Sequence, residues 1–365
     1  MNNILHIFPY TIFAVNYINS FGEDKKRKHM FYLSGDRNIM SKEEIVFNND
    51  NNVVYEYSDC GYKRLEKMIR KSNVIVLQCL PEKLDLSSEL VKQLDLIEIP
   101  LIIGPWGREI LKTSDLYKSS NKELLESVNQ TKMYFVKKAQ VILMDEYGYK
   151  SVKKIYGFSS DKKRILFNHI RVVSDYEIED LKVIDGKEKE DITVMVGHRG
   201  TESSNHELGF NYLKSLESKV NIFCPLSIGE EKYIEHIREC GENLFENRFI
   251  CLRKWMKKKD YYEYLCRNVD IAIFNTGTAE GIVTSLILLS IGIKLYLTGE
   301  LYSFFKEIGF KVFLFDPELE EHDFLNPLSE EEKEYNYKKA MDYCSLETFL
   351  REWDGIFEYC ETGNC

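Results

Sequence analysis

Short apolar runs rich in β-branched residues alternate with helical segments along most of this 365-residue chain. Parallel strands need long, usually helical, connections, so the alternation predicts parallel β-sheets covered by helices. The chain length suits two α/β domains better than one. The apolar runs are Ile4–Pro9, His29–Ser34, Val53–Tyr57, Val74–Leu80, Leu101–Gly104, Val141–Asp145, Ile165–Asn168, Ile192–Gly197, Val220–Pro225, Phe249–Leu252, Ile271–Asn275, Lys294–Thr298 and Val312–Asp316.

The stretch 172–191 interrupts this alternation, because it is charged and only weakly periodic. We interpret it as a linker between an N-terminal domain at 1–171 and a C-terminal domain at 192–345. The segment 346–365 is expected to form a helix that packs back on the first domain. The predicted fold class is α/β, with two doubly wound Rossmann-like domains facing across a cleft. Ligands of such sheets bind where the strands end.

The composition is typical of a soluble globular protein, with 44% hydrophobic and 30% charged residues. A formal net charge of −10 disfavours a general nucleic-acid-binding protein, which needs a basic surface. The nine cysteines include no C-x-x-C pair, and the sequence shows neither a signal peptide nor a run of about 18 apolar residues. We therefore expect a cytoplasmic protein with reduced thiols.

Three clusters of basic and aromatic residues in the first domain could contact anionic lipid at the inner face of the cell membrane. They are Tyr62–Lys71, Lys132–Lys138 and Lys150–Lys154. The ordinary interpretation of any one cluster is a solvated helix face, which the sequence favours. Peripheral membrane contact is the alternative.

The stretch from Ile192 to His206, ITVMVGHRGTESSNH, joins an apolar β run to a helix through a glycine-containing turn. The spacing from Ser204 to Glu207 predicts a capping box at the start of that helix. The first N–H groups of a helix are unpaired and lie at the positive end of its dipole, which suits a phosphate. The sequence thus predicts an anion-binding loop in the second domain.

Four further segments follow apolar runs of the second domain. Pro225–Gly229 carries the free hydroxyl of Ser227, and Trp255 lies among basic residues. Asn275–Thr284 is a polar turn that leads into an apolar helix, whose N-terminus is a second anion site. Glu300 offers a carboxylate that could accept hydrogen bonds from ribose hydroxyls. The recurrence of such turns after successive strands favours a nucleotide-binding cleft.

Candidates in the first domain are weaker. Gly104–Glu109 places two glycines, an aromatic residue and a carboxylate after a strand, and Glu109 could act as a general base. Asp36 is more typical of a turn residue. His6 lies inside a strand and is expected to be a hydrogen-bonded core histidine, whereas His169 could face either the cleft or the core.

Motifs of several other enzyme classes are missing from the sequence. No D-x-D follows a predicted strand, so we expect no metal-bridged diphosphate and no metal ligands. The patterns G-x-S-x-G and G-x-x-x-x-G-K-[ST] are absent, which argues against serine hydrolases and P-loop enzymes. A strict G-x-G-x-x-G is also absent, so a nicotinamide enzyme is disfavoured.

These residues resemble a family, the bacterial N-acetylfucosamine transferases (4-alpha-L-fucosyltransferases, glycosyltransferase family 56). The family's loop V-G-N-S-G-D-x-S-N-x-H corresponds to Val196–His206, VGHRGTESSNH. Other family motifs fall on Tyr233–Ile234, Ala279–Thr284, Gly299–Phe304, Trp106–Glu109 and Phe167–Arg171. Here Arg199 and Thr201 replace the loop's Ser and Asp, and Ala279 and Glu280 replace a pair of glutamines. The resemblance therefore supports sugar transfer more strongly than N-acetylfucosamine specificity.

The resemblance implies a GT-B glycosyltransferase, with an acceptor-side first domain and a second domain that binds a nucleotide sugar. The expected reaction moves a sugar, such as N-acetylfucosamine, from a dTDP- or UDP-sugar to a lipid-linked or surface-glycan acceptor in bacterial polysaccharide synthesis. Arg199 would offset charge on the departing diphosphate without a metal, and Glu109 would deprotonate the acceptor. The residues expected to bind the donor are Gly197, Gly200, Ser203, Ser204, Asn205, His206, Ser227, Trp255, Asn275, Glu280, Gly281, Thr284 and Glu300.

No cofactor is expected, because the nucleotide sugar is a co-substrate. One alternative is an enzyme like the polysaccharide pyruvyltransferases, although no cluster specific for phosphoenolpyruvate stands out. The other is a non-catalytic module that binds nucleotide sugars.

Overall fold

The computed structural model describes residues 2–11, 13–35, 53–55, 61–80, 84–96, 98–106, 122–158, 162–182, 184, 191–276 and 280–362. The chain divides into two compact units. One comprises Met1–Val172 and Leu346–Cys365, and the other comprises Val173–Ser345. Each unit is built on one parallel β-sheet, as the alternation of strands and helices predicts.

The sheet of the first unit has seven parallel strands in the order β3-β2-β1-β4-β5-β6-β7. Its strands are β1 (Asn3–Pro9), β2 (Lys28–Ser34), β3 (Val53–Tyr55), β4 (Val74–Gln78), β5 (Leu101–Gly104), β6 (Val141–Leu143) and β7 (Lys163–Ile165). Its described helices are α1 (Ala14–Ser20), α2 (Gly61–Ile69), α3 (Leu84–Leu96), α4 (Lys122–Lys138), α5 (Glu146–Tyr156) and, at the end of the chain, α14 (Leu346–Glu361).

Strand β1 is apolar except at Asn3 and His6, because both faces of the sheet are covered. Leu5 and Ile7 pack in one buried cluster, and Ile4 and Phe8 pack in another. Continuous apolar runs are typical of parallel strands that are buried on both faces. The same rule explains why the sequence shows short apolar runs rather than strict polar–apolar alternation.

Helix α14 packs on the first unit. Phe349, Trp353 and Phe357 lie on one face of the helix and join the buried cluster that contains Ile4 and Phe8. Trp353 is among the largest fully buried side chains. The helix is therefore attached by its apolar face, although the chain reaches it only after the whole second unit.

Gly355 lies inside α14, and its replacement by alanine is expected to stabilise the protein by about 0.5–1 kcal/mol. A Cβ at Gly355 would meet no heavy atom within 4 Å, so the added methyl group causes no clash. Alanine also reduces the conformational freedom of the unfolded chain. Urea denaturation measures the change in the free energy of unfolding, and a loss of stability would contradict the prediction.

The sheet of the second unit has six parallel strands in the order β10-β9-β8-β11-β12-β13. They are β8 (Thr193–Val196), β9 (Asn221–Pro225), β10 (Phe249–Leu252), β11 (Ile271–Phe274), β12 (Lys294–Leu297) and β13 (Phe313–Leu314). The described helices are α6 (Asp175–Lys182), α7 (His206–Ser215), α8 (Glu231–Phe245), α9 (Lys258–Asn268), α10 (Ile282–Ser290), α11 (Gly299–Glu307), α12 (Glu321–Leu325) and α13 (Glu330–Cys344).

Helix α6 lies inside the stretch 172–191, which the sequence analysis interprets as a linker. The helix starts with a reciprocal cap, because the Glu177 N–H donates to Ser174 Oγ (3.3 Å) and the Ser174 N–H donates to Glu177 Oε2 (2.9 Å). Ile178 and Leu181 are buried in the second unit. Two apolar side chains in a charged segment gave too weak a periodicity for the helix to be predicted.

None of the described helices is long and apolar enough to cross a membrane. Within the basic clusters, Arg70 pairs with Glu66 and Lys150 with Glu146, each four residues apart on a helix. Lys132 is fully buried. The two ion pairs are typical of solvated helix faces. The burial of Lys132 removes one basic group from any lipid-facing surface. Cys224, Cys240, Cys251 and Cys266 are free thiols.

Candidate functional site

The expected anion-binding loop lies at the topological switch point of the second sheet. The chain leaves β8 toward β9 and later returns to β11 on the other side of β8. The loops that follow β8 and β11 therefore diverge at the carboxyl edge of the sheet. Ligands of doubly wound sheets bind in the crevice between two such loops.

Gly197, directly after β8, has φ +70°, a left-handed conformation that favours glycine. Its N–H donates to the carbonyl of Ile273 (2.9 Å), and a Cβ there would lie 2.3 Å from Nε2 of His206. His206 is fully buried, and its Nδ1 lies 3.1 Å from the Tyr233 hydroxyl. Burial lowers the pKa of His206 to about 3, so the ring is neutral. The buried ring packs directly against Gly197 in the turn.

The start of α7 corrects the predicted capping box. The N-cap is Asn205, in a left-handed conformation, and its side chain makes no capping bond. Ser204 ends a short 3-10 turn, Glu202–Ser204, and its Oγ donates to the Arg199 carbonyl (3.0 Å). The prediction of a capping box was wrong because the extra turn places Ser204 one position before the N-cap. There its hydroxyl bonds to the loop backbone instead of capping the helix.

The carboxylate of Glu280 connects the loops after β8 and β11. One carboxylate oxygen forms an ion pair with Nη2 of Arg199, and the other accepts a hydrogen bond from Ser203 Oγ (2.8 Å). Burial alone would raise the pKa of Glu280, but the bonds from Ser203 and Arg199 hold it below its ordinary value. Arg199 and Ser203 thus already bind the two oxygens of an ionised group.

Three polar atoms of this loop are buried without a hydrogen-bond partner in the part of the chain that the structure describes. They are Nε of Arg199, Nδ1 of His198 and Nε2 of His206. The His198 ring packs beside Phe274, with the ring centroids 5.6 Å apart, and against Gly281. Burial, followed by the charge of Arg199, lowers the pKa of His198 to about 4, and the charge of Glu280 opposes this shift. Buried polar atoms usually have a hydrogen-bond partner, so these three indicate an incomplete site.

Asn275 connects three loops at the same edge of the sheet. Its Nδ2 donates to the Asn205 carbonyl (3.4 Å), and its Oδ1 accepts from the Thr298 hydroxyl (3.0 Å). Thr298 is the N-cap of α11, and Glu300 lies in the first turn of that helix. Asn275 therefore holds the loops after β8, β11 and β12 together.

The loop after β9 pairs with the anion-binding loop through their backbones. The Gly200 N–H donates to the Ile228 carbonyl (2.8 Å), and a Cβ at Gly229 would lie 2.0 Å from the Gly200 carbonyl oxygen. Ser227 is half-buried just before this contact. Trp255 follows the edge strand β10 and is 68% exposed, so it lies at the end of the sheet rather than at the switch point.

The first unit has its own polar cluster at the end of β4, next to the switch between β1 and β4. Gln78 is buried, and its Oε1 accepts from Trp106 Nε1 (3.3 Å) and lies 2.9 Å from His169 Nδ1. Its Nε2 donates to the Tyr17 hydroxyl (3.4 Å). His169 is among the residues predicted from the sequence but Gln78 is not, since one amide inside an apolar run carries no local signal.

Other first-domain predictions have different outcomes. His6 is a buried core histidine, as expected, because its ring nitrogens lie 2.7 Å from the Tyr17 hydroxyl and 2.8 Å from His29 Nδ1. Glu109 and Asp36 lie outside the described residues. The role of Glu109 as a base thus stays a prediction.

The structure brings together Arg199, which was expected to act in catalysis, and a defined subset of the expected donor-binding residues. The contacts described above join Gly197, Arg199, Gly200, Ser203, Ser204, Asn205, His206, Asn275, Glu280 and Gly281. Thr284 lies half-buried in the first turns of α10, whose N-cap is Gly281. Sequence reasoning missed His198, although a histidine directly after the glycine of a β-strand turn was the available signal.

Residues 158–309 match the family model described as 4-alpha-L-fucosyltransferase, glycosyl transferase group 56. The matched segment contains the whole anion-binding loop, Asn275, Glu280 and Glu300. The match is to the family that the sequence resembles, so that resemblance is confirmed.

Three solved structures resemble nearly the whole chain at low sequence identity. Anabaena HepE in complex with UDP has a TM-score of 0.64 at 11% identity, over 98% of this chain and 100% of that chain. The lipopolysaccharide outer core galactosyltransferase WaaB, in its apo form, has 0.61 at 14%, over 98% and 99%. Acinetobacter baumannii MurG has 0.50 at 12%, over 98% and 100%. The fold is GT-B, as the sequence predicts.

Proposed function

We propose that this protein, a glycosyltransferase of the GT-B type, transfers a deoxy-amino sugar from a dTDP- or UDP-sugar to a lipid-linked or surface-glycan acceptor. The proposal rests on one observation above all. Arg199 and Ser203 at the switch point already hold the two oxygens of a carboxylate.

A nucleoside diphosphate fits this arrangement chemically. Arginine presents a planar set of donors that suits phosphate oxygens, and the Nε of Arg199 has no partner among the described residues. Gly281 is the N-cap of α10, so the positive end of that helix dipole lies beside Glu280. The same donors would stabilise the charge that develops on the diphosphate as the sugar leaves.

The relatives agree with a nucleotide-sugar donor. HepE has been solved with UDP and with UDP-glucose, WaaB is named a galactosyltransferase, and the matched family is named for fucosyl transfer. All three names concern hexoses. We therefore infer that the donor carries a hexose. The more specific proposals of a deoxy-amino sugar and of dTDP rest on the family resemblance.

The remaining residues take their roles from position. Glu300, in the first turn of α11, would bind the ribose, and Ser227 and Thr284 would contact the rest of the donor. Glu109 lies outside the described residues, and its role as the base that deprotonates the acceptor hydroxyl is carried over from the sequence. We place the reaction in the cytoplasm, at the inner face of the membrane, because a lipid-linked acceptor would be presented there.

The Glu280→Gln variant is expected to bind free dTDP about ten-fold more tightly than the unmodified chain. In the ligand-free loop the carboxylate competes for Arg199 and Ser203, and removal of its charge weakens that competition by roughly 1.4 kcal/mol. Isothermal titration with dTDP measures the change. Glu202→Gln is the matched control, because Glu202 is an exposed carboxylate of the same loop. Weaker binding by Glu280→Gln would contradict the proposed competition.

A thermal-shift screen of nucleotides tests the proposed donor class. Either dTDP or UDP at 100 times its Kd should stabilise the chain by roughly 2.7 kcal/mol, whereas NAD and phosphoenolpyruvate should not. Stabilisation by phosphoenolpyruvate alone would favour a pyruvyltransferase. Release of the nucleoside diphosphate from the nucleotide sugar then separates an enzyme from a non-catalytic binding module.

A further inference from the structure

Three side chains with metal-binding atoms converge where α7 and α8 pack together. His236 and Cys240 are four residues apart on α8 and therefore lie on one face of the helix. Glu207, in the first turn of α7, reaches the same place. One ligand atom from each residue lies within 4.8 Å of the other two.

The contacts inside this cluster are short. Nε2 of His236 lies 2.9 Å from Oε1 of Glu207. Sγ of Cys240 lies 3.8 Å from Nε2 and 3.9 Å from Nδ1 of His236. Because His236 is 53% exposed, its ring has room to rotate and aim one nitrogen at an ion shared with the other two groups. Among the described residues, this is the one group of three or more such side chains at this spacing.

We propose that Glu207, His236 and Cys240 form a binding site for a borderline-soft divalent metal ion, with Zn²⁺ the best fit. Thiolate, imidazole and carboxylate are the ligands that zinc takes, at about 2.3, 2.0–2.1 and 2.0–2.2 Å. Tetrahedral geometry at those bond lengths separates the ligand atoms by about 3.3–3.6 Å. The distances of 2.9 and 3.8 Å in the structure bracket that value.

The ligand set selects against the common hard cations. Mg²⁺ and Ca²⁺ take oxygen ligands, and this cluster offers one carboxylate beside nitrogen and sulfur. Three protein ligands leave the fourth tetrahedral position for water or for a group from outside the chain. Zn²⁺ would replace the thiol proton of Cys240, which leaves as a solvated proton while the sulfur–zinc bond forms.

A divalent ion would neutralise the thiolate and the carboxylate together. Glu207 directly follows His206, so the metal would tie the start of α7, at the end of the anion-binding loop, to α8.

Cobalt titration of the full-length, reduced and chelator-treated chain tests this site. Co²⁺ bound to a thiolate in tetrahedral geometry gives a near-ultraviolet charge-transfer band and strong visible bands. These bands should saturate at a single equivalent, and Zn²⁺ should displace the cobalt and abolish them. Cys240→Ser should remove the charge-transfer band, and His236→Ala should weaken Co²⁺ binding by at least roughly ten-fold.

Two controls separate this cluster from other thiols and imidazoles. Cys266→Ser removes a half-buried thiol in α9, and His322→Ala removes an exposed histidine that lies 3.0 Å from the Asp323 carboxylate. Both should bind cobalt as the unmodified chain does. A charge-transfer band that persists in Cys240→Ser, or its absence from the unmodified chain, would overturn the proposal. Circular dichroism of each variant verifies that it is folded.

Discussion

Replacing Arg199 with alanine is expected to slow sugar transfer about 100- to 1,000-fold while the chain stays folded. Arg199 is the cation that already binds an ionised carboxylate at the switch point. Its Nε has no hydrogen-bond partner among the described residues and can therefore bind a second group. The negative charge on the diphosphate grows as its bond to the sugar breaks and is larger in the transition state than in the bound substrate, so the loss should fall mainly on kcat. Initial rates with the nucleotide sugar measure it.

Two variants frame this result. Arg199→Lys keeps the charge but loses the planar set of donors, so its rate should lie between those of the alanine variant and the unmodified chain. Arg238→Ala removes an arginine that pairs on the surface of α8 with Glu235 and Glu242, and it should have little effect. A rate for Arg199→Ala within about three-fold of the unmodified chain would contradict the electrostatic role assigned to it.

Replacing Gly197 with alanine is expected to lower the free energy of unfolding by about 2–5 kcal/mol and to abolish dTDP binding. Two costs add at this position. The residue has φ +70°, where an L side chain is strained, and its Cβ would lie 2.3 Å from Nε2 of the fully buried His206. The ring cannot move away freely, because Nδ1 lies 3.1 Å from the Tyr233 hydroxyl.

Thermal unfolding measures the stability loss, and the expected decrease in Tm is roughly 5–15 °C for a unit of this size. Gly355→Ala is the matched control, since the same substitution at an open helical position should raise Tm. Reduced stability of Gly197→Ala with unchanged dTDP binding would mean that this turn does not shape the donor site.

Local patterns were enough to predict the parallel sheets. Strands β5 and β10 have the predicted bounds, and most other strands differ by one or a few residues at their ends. Strand β7 starts at Lys163 rather than Ile165, because a three-residue edge strand carries little apolar signal. Apolar runs buried on both faces are conspicuous, and glycine and polar residues mark the turns between them.

The partners of the site residues could not be predicted in the same way. Glu280 is 81 positions from Arg199 in the chain, and only the return of the chain to β11 beside β8 brings the two together. The same limit applies to Gln78 in the first unit and to Glu207 near His236. At Ser204, by contrast, a local pattern gave a wrong prediction. The pattern predicted that Ser204 is the helix N-cap, but a short 3-10 turn moves it one position before the cap.

A crystal structure of this chain with bound dTDP tests the central claim most directly. The diphosphate oxygens should accept hydrogen bonds from Arg199 and Ser203, beside the N-terminus of α10, and the Glu280 carboxylate should have moved out of that position. A nucleotide bound elsewhere, with the Arg199–Glu280 ion pair intact, would contradict the assignment of this loop as the donor-diphosphate site.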